Sequence, residues 1–172
     1  ELYFVCVGYF KQRVLVPVRF YSSLVAFVAR DVTGRAAKKY LNPKGVSQAL
    51  WFFNWDNCVS SNRVVVCEGV FDAMAVERAG YPAMASFGKR LSSVQRKLLS
   101  RFDEVTILYD QDALFGAFDT GKKLAKLTEV KIGILKEGDP GDADVSTLRK
   151  VIDDAGSVKS PGFLVEYIRS EA

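Results

Sequence analysis

Arg63-Val64-Val65-Val66-Cys67-Glu68-Gly69 is the stretch that decides the fold. Its apolar run is too short for a helix and ends on an acid and a turn residue, so it reads as a buried strand. Two similar runs follow it. Val105-Thr-Ile-Leu-Tyr109 leads into Asp110-Gln111-Asp112, and Val130-Lys-Ile-Gly-Ile-Leu135 leads toward Asp139 and Asp142. Each run therefore brings carboxylates to its carboxyl end. In an open parallel sheet that edge is where ligands bind. Carboxylates gathered there repel one another unless cations are present, so the pattern suggests a Mg²⁺ or Mn²⁺ site suited to phosphate chemistry.

Outward from these strands the chain alternates between β and α patterns. Phe71–Ala79 reads as a helix stopped by Gly80, and Ala83–Ser86 as a short strand. Ser92-Ser-Val-Gln95 is a capping box opening a helix with Val94, Leu98 and Phe102 inward. Phe115–Leu127 reads as helical although Gly116 and Gly121 weaken it, and Val145–Ala155 as a helix ending at Gly156. Ser160-Pro161 is an N-cap followed by a first-turn proline. Such alternation predicts an α/β fold, a parallel sheet flanked by helices.

The first third differs. Val14–Val18 and Leu24–Val28 read as strands joined by a Ser22-Ser23 turn, with Pro17 marking an edge or a bulge. A basic loop, Arg35 to Gly45, contains Lys38 and Lys39. Leu50–Trp55 reads as a strand or core-plugging turn, and 57–62 as a polar joint. The expected division is an N-terminal, strand-rich basic subdomain (1–60), an α/β domain (61–156) and a C-terminal helix (157–172).

Bulk properties narrow the class. The 172 residues suit one ordinary domain or one with an appendage, and 49% apolar with 26% charged residues is a globular composition. No apolar run is long enough to span a bilayer, and the start lacks the features of a signal peptide. A chain beginning at Glu1 rather than Met reads as a piece of something longer. There is no histidine, and Cys6, Cys58 and Cys67 are widely spaced, which argues against zinc and against a histidine-activated nucleophile. The odd, unpaired cysteine count fits a reducing cytoplasm. The net charge of +4 is uneven: residues 1–62 carry eight Lys/Arg against three Asp/Glu, and the remainder sixteen against seventeen. A basic segment beside an acidic site suits a polyanionic ligand.

Several motifs then stand in order: Glu68-Gly-Val-Phe-Asp72, Ala85-Ser-Phe-Gly88, Leu91–Leu98, Tyr109-Asp-Gln-Asp112 and Gly138-Asp-Pro-Gly-Asp142. Upstream lie Phe27-Val-Ala-Arg30 and Lys39-Tyr-Leu-Asn-Pro43. Over roughly residues 10–150 this resembles the Toprim domain and basic subdomain of DnaG-type primases, including phage primases and primase-helicases. The resemblance implies a nucleotidyltransferase: a DNA-directed RNA polymerase making short RNA primers on single-stranded DNA from ribonucleoside triphosphates, with divalent metal. It implies a central acidic cluster of Glu68, Asp110 and Asp112, with Asp139, Asp142 and Asp72 as further metal ligands. Arg30, Lys38 and Lys39 become positions facing nucleotide or template. It also implies a replicative helicase as partner, separate or fused. Two departures stand out: Gly116 comes one residue later than the family's pattern, after Leu114-Phe115, and a basic-subdomain lysine has only Lys44 as nearest counterpart. No zinc-binding module and no helicase motif occurs, so the core of a longer protein is expected.

Competing readings exist for each feature. Asp72 can be a first-turn acid complementing a helix dipole, and Asp144 competes with Asp142 for the last acidic position. Lys38 and Lys39 can be a solvated loop. Ser86, Gly88 and Lys89 can approach a phosphate or simply form a turn. Trp51, Phe52, Phe53 and Trp55 can stack bases but read better as core. The alternative function is a Toprim nuclease or topoisomerase-type cleaving domain, for which no tyrosine nucleophile stands out.

Overall fold

A computed structural model describes residues 2–110, 113–160, 162, 163 and 165. They form two sheets. The first is antiparallel, in the order β1 (Tyr3–Val5), β2 (Arg13–Phe20), β3 (Ser23–Asp31) and β4 (Tyr40–Leu41). The second has the order β6 (Ala83–Ala85), β5 (Arg63–Cys67), β7 (Glu104–Leu108), β8 (Glu129–Ile132) and β9 (Gly156–Ser157). Strands β5 to β8 are parallel, and β9 closes the edge antiparallel to β8.

In the first sheet, Pro17 sits in a strand with neighbours on both sides. It lies beyond Leu15, the last β2 residue paired with β1, so the missing N–H costs no ladder bond there. A register shift follows at Val18/Arg19. The hairpin turn is Tyr21-Ser22, one residue earlier than expected, with φ of 49° and 64° at the two residues. Two positive φ values match the right-handed twist of the flanking strands but strain non-glycine residues. The Asp56 carboxylate holds this turn, accepting from Tyr21 N at 2.7 Å and Ser22 N at 2.8 Å. Asp56 belongs to α1 (Trp55–Cys58), so the same contact ties the hairpin tip to the second sheet. The Leu50–Trp55 segment is no strand: a 3₁₀ turn over Gln48–Leu50 leads to an antiparallel bridge between Phe53 and Ala85, then to α1. Phe52, Phe53 and Trp55 are buried, as the core reading expects.

Two layers of helices cover the second sheet. On one face lie α2 (Val70–Arg78) and α5 (Val145–Asp153), whose Ala73, Val76, Leu148 and Ile152 pack with Val65, Cys67 and the inner residues Val16, Val18, Ala26 and Val28 of the first sheet. On the other lie α1, α3 (Ser93–Leu99) and α4 (Leu114–Leu124), contributing Trp55, Leu99, Phe118 and Leu124 against Val66, Val105, Ile107 and Ile132. Alternate residues of β5 thus enter opposite clusters, as the period of two requires. Gly121 permits this approach, because a Cβ there would come within 3.2 Å of Ile132.

Some expected boundaries move. The β8 strand ends at Ile132 and α5 at Asp153, while 156–157 is a strand where a helix stop and the start of a C-terminal helix were expected. Most of that helix lies outside the described residues. In α3 the capping box forms as expected, with Gln95 N donating to Ser92 Oγ at 3.0 Å and Ser92 N to Gln95 Oε1 at 3.0 Å. Its inward face is as expected at Leu98, which packs on the core, and at Phe102 just past the helix, which is buried, but not at Val94. Val94 is exposed, and the buried residues are Gln95 and Leu99. Gln95 is tolerated because Nε2 donates to the Trp51 carbonyl at 2.9 Å and the Ser86 carbonyl at 3.1 Å. No helix among the described residues is long and apolar enough to cross a membrane.

Asp144 caps α5, accepting from Thr147 N at 2.9 Å and Thr147 Oγ1 at 2.8 Å. Hydrogen bonds from Ser146 and then Thr147 hold its carboxyl well below the usual carboxylate value of 3.8. The cap therefore contributes fully above pH 3.8 and weakens as pH falls below that value. The Asp144→Ala variant is expected to lower the urea midpoint at pH 7, with the gap to wild type narrowing below pH 3.8.

Candidate functional site

The connection from β5 runs to β6 on one side, and that from β7 runs to β8 on the other. The crevice between β5 and β7 is therefore the switch point of the sheet, where such folds bind ligands. Cys67 lies opposite Leu108. The residues that follow, Glu68 and Tyr109-Asp110, thus emerge side by side, and Glu68 and Asp110 are both half-buried. Asp112, expected beside them, lies outside the described residues.

Asp72 stands in the first turn of α2. Its Oδ2 accepts from Gly69 N at 2.9 Å and its Oδ1 from Gly141 N at 3.1 Å. One short side chain thus fastens the β5–α2 loop to the turn over 138–142. That turn is closed by Asp139, whose Oδ1 accepts from Asp142 N at 3.0 Å. Burial pushes the Asp72 carboxyl up to about 6; the charge of Asp110 adds to this, the Gly69 N–H opposes it, and Asp139 adds more. Of the two candidates for the last acidic position, Asp144 caps α5, and Asp142 lines a cavity with Asp72 and Asp139.

That cavity, about 300 Å³, is also lined by Arg30, Lys39, Tyr40, Phe71 and Arg78. The basic segment and the distal acidic turn therefore meet in one place. Arg30 is aimed by three contacts. Its Nη1 donates to Tyr40 Oη at 2.7 Å, and its guanidinium lies 4.3 Å from the Phe71 ring centre and 5.5 Å from that of Tyr40. Tyr40 also borders a second cavity of about 190 Å³ with Glu68, Gly69 and Phe87. Phe87 has a φ of 63°, a strained value for an aromatic residue, and its N–H donates to the Glu68 carbonyl at 3.0 Å.

Not every expected residue joins this group. Lys38 is exposed and does not line the cavity that holds Lys39. The backbone carbonyl of the half-buried Lys89 accepts from Thr120 Oγ1 at 3.4 Å. Cys67 is fully buried, and burial holds its thiol well above the ordinary value, which leaves it inert.

Three contributors escaped the sequence reading. Phe71 and Arg78 share a face of α2 with Met74 and Ala75, a helical spacing that was legible once Asp72 was suspected. Arg13 had no signal. It opens a strand, yet is 6% exposed, and its guanidinium donates to the carbonyls of Lys38 at 2.8 Å and Lys39 at 3.1 Å. It fixes the backbone from which Lys39 reaches the cavity.

As a donor set, Glu68, Asp110, Asp72, Asp139 and Asp142 offer only carboxylate oxygens, the hard ligands that Mg²⁺ and Mn²⁺ prefer. The Asp72 carboxyl is raised first by burial, and the neighbouring charges of Asp110 and Asp139 add to that shift. Among the described residues, however, no three Asp, Glu, Cys or His side chains are placed to hold one ion. A Cβ on Gly141 would lie 2.9 Å from Asp72 Oδ1 and 3.1 Å from Asp139 Oδ1. Gly141→Ala is expected to cost about 1–3 kcal/mol by overpacking this turn, measured by urea unfolding.

Comparison with known proteins places this geometry. The Toprim-like family model (Toprim_2) matches residues 65–144. A DNA primase of Synechococcus elongatus is 31% identical over 137 residues, covering 74% of this chain and 19% of the relative. The chain thus spans about a fifth of that relative's length. Among solved structures, the zinc-binding and RNA polymerase domains of Aquifex aeolicus primase superpose with a TM-score of 0.74 at 23% identity, covering 88% of this chain and 42% of that one. A DnaG primase catalytic domain bound to single-stranded DNA gives 0.75 at 22% identity, covering 99% and 60%. The matched segment identifies a Toprim-like domain over residues 65–144, and the sheet that carries the β5/β7 acids together with the strand-rich sheet before it has the fold of DnaG-type primase cores.

Proposed function

We propose that this chain is the catalytic core of a DNA primase, joining ribonucleoside triphosphates into short RNA primers on a single-stranded DNA template. The observation that carries this reading is the cavity in which Arg30 and Lys39 of the basic segment face Asp72, Asp139 and Asp142 beside the Glu68–Asp110 crevice. A triphosphate needs cationic groups on its oxygens and acids that recruit counter-charge, and phosphoryl transfer asks for positioning more than for covalent chemistry. In this reading residues 1–60 serve as the nucleic-acid-facing subdomain and 61–156 as the Toprim domain. A replicative helicase, separate or fused, is the partner it implies.

The roles divide as follows. Glu68, Asp110 and Asp112 form the central acids, with Glu68 serving either as a cation ligand or as the general base for the attacking 3′-hydroxyl. Asp139 and Asp142 are the distal acids, and Asp72 orients their turn through Gly141 N. When bound there, Mg²⁺ or Mn²⁺ supplies neutralisation of the phosphate oxygens and acidifies the attacking hydroxyl. Arg30 and Lys39 bind phosphate of nucleotide or template, and the buried Arg13 keeps the loop of Lys38 and Lys39 in register. The strand-cleaving alternative is not favoured, because the curated relative is a primase.

A template-dependent primer assay tests this reading. Asp110→Ala is expected to lower primer synthesis roughly a hundredfold or more, the cost of losing a positioning group at the reacting centre. Unchanged synthesis in that variant would reject the site. Lys39→Ala is expected to raise the nucleotide or template requirement roughly tenfold, as for a lost charge-assisted contact, while Mn²⁺ binding persists. Loss of Mn²⁺ binding with intact nucleic-acid affinity would reverse that assignment.

A further inference from the structure

The stretch Leu114-Phe115, where Gly116 comes one residue later than in the primase pattern, is not absorbed by the site above. It opens α4 directly after the Asp110 strand end, and Phe115 is left 80% exposed while Phe118, one turn on, is 6% exposed. A lone exposed aromatic is ordinary on a protein surface. Its neighbours are what set this one apart. The outer face of α4 continues from Phe115 through Asp119, Lys122 and Lys123, and Lys126 follows just past the helix end, all exposed. Lys123 is engaged by Asp119, Nζ to Oδ2 at 2.6 Å. That bond, with Arg90 and Lys122 close by, holds the Asp119 carboxyl below its ordinary value. Arg90 thus stands beside the helix, on the loop whose Lys89 carbonyl accepts from Thr120. An aromatic at the acidic end and a cationic stripe leading away from it form one surface.

This surface lies on the opposite face of the sheet from the Arg30–Lys39 cavity: α4 packs in the cluster of Val66 and Ile107, and α2 in that of Val65 and Cys67. The acidic crevice is therefore flanked by cations on both sides. On the polymerising reading, on which this inference rests, two nucleic-acid elements leave the crevice, the unpaired template and the paired product. A cavity of about 300 Å³ admits phosphates and single nucleotides but no duplex. The open face of α4 carries no such restriction.

We propose that Phe115, with Arg90, Lys122 and Lys126, forms a second nucleic-acid contact that holds the RNA–DNA hybrid as it leaves the crevice. Phe115 offers its ring to the exposed π-face of the nearest base, and the three cations follow the phosphates.

Fluorescence anisotropy with a labelled RNA–DNA hybrid carrying a DNA overhang tests this without nucleotides or turnover. Phe115→Ala is expected to weaken hybrid binding roughly fivefold or more, the lower end of base-stacking losses, with Phe115→Trp restoring it. Arg90→Ala and Lys122→Ala are each expected to reduce the slope of log affinity against log salt by about one, which a merely structural change does not do. Binding of the unpaired template strand should be unchanged in all four variants. Unaltered hybrid affinity in Phe115→Ala, an equal loss for the unpaired strand, or no hybrid binding by the wild type would each overturn the proposal. If Asp110→Ala retains primer synthesis while Phe115→Ala loses hybrid affinity, the catalytic assignment fails and this surface stands. The converse pair of results rejects this surface alone.

Discussion

Like charges meeting at one sheet edge are the constraint around which this molecule is arranged. Strand geometry delivers Glu68 and Asp110 to the crevice, and the 138–142 turn brings Asp139 and Asp142 nearby. Left to themselves these groups would drive their loops apart. Asp72 prevents that by spending both carboxylate oxygens on backbone N–H groups, one from each loop. The loops are then joined through neutral peptide dipoles rather than through another cation, so the crevice keeps its negative potential. The absence of a side chain at Gly69 and Gly141 is part of the same arrangement, since a Cβ at either would crowd Asp72.

The second constraint is the attachment of the strand-rich sheet. Its inner residues Val16, Val18, Ala26 and Val28 share a core with α2, and its hairpin tip is caught by Asp56, Trp55 and Arg101. Arg101 donates to Tyr21 Oη at 3.3 Å and lies 5.5 Å from the Trp55 ring centre. These contacts lie far along β2 and β3 from Arg30 and Arg13, at the strands' other ends. Arg30 is consequently held from two directions, by the packed sheet behind it and by Phe71 in front.

Much of this was legible in the sequence, and the limits have physical causes. The parallel strands read clearly because strands buried on both faces are continuous apolar runs bounded by turns. The α3 capping box was equally plain, since its spacing is its mechanism. The burial of Gln95 was not legible: three carbonyls from distant segments converge on its amide, and only the tertiary structure supplies them. The hairpin turn was displaced by one residue because Tyr21-Ser22 lacks the glycine or asparagine that marks positive φ, its compensation lying at Asp56, 35 residues away from Tyr21. In the site, the acids were visible as strand ends. Asp72 read as a ligand, and its two backbone bonds are invisible to spacing because one partner is 69 residues distant.

Arg13 carries a consequence of a different kind. It is a cation almost wholly removed from solvent, and the loop carrying Lys38 and Lys39 is bound to it through main-chain carbonyls. Nothing in those bonds depends on which side chains the loop bears. Lys38 and Lys39 can therefore be exchanged, by drift or by design, without disturbing the loop's path, whereas Arg13 itself cannot be replaced by a shorter cation with the same reach. Transplanting the Lys-Lys-Tyr segment alone into another sheet would carry over its charge and lose its aim.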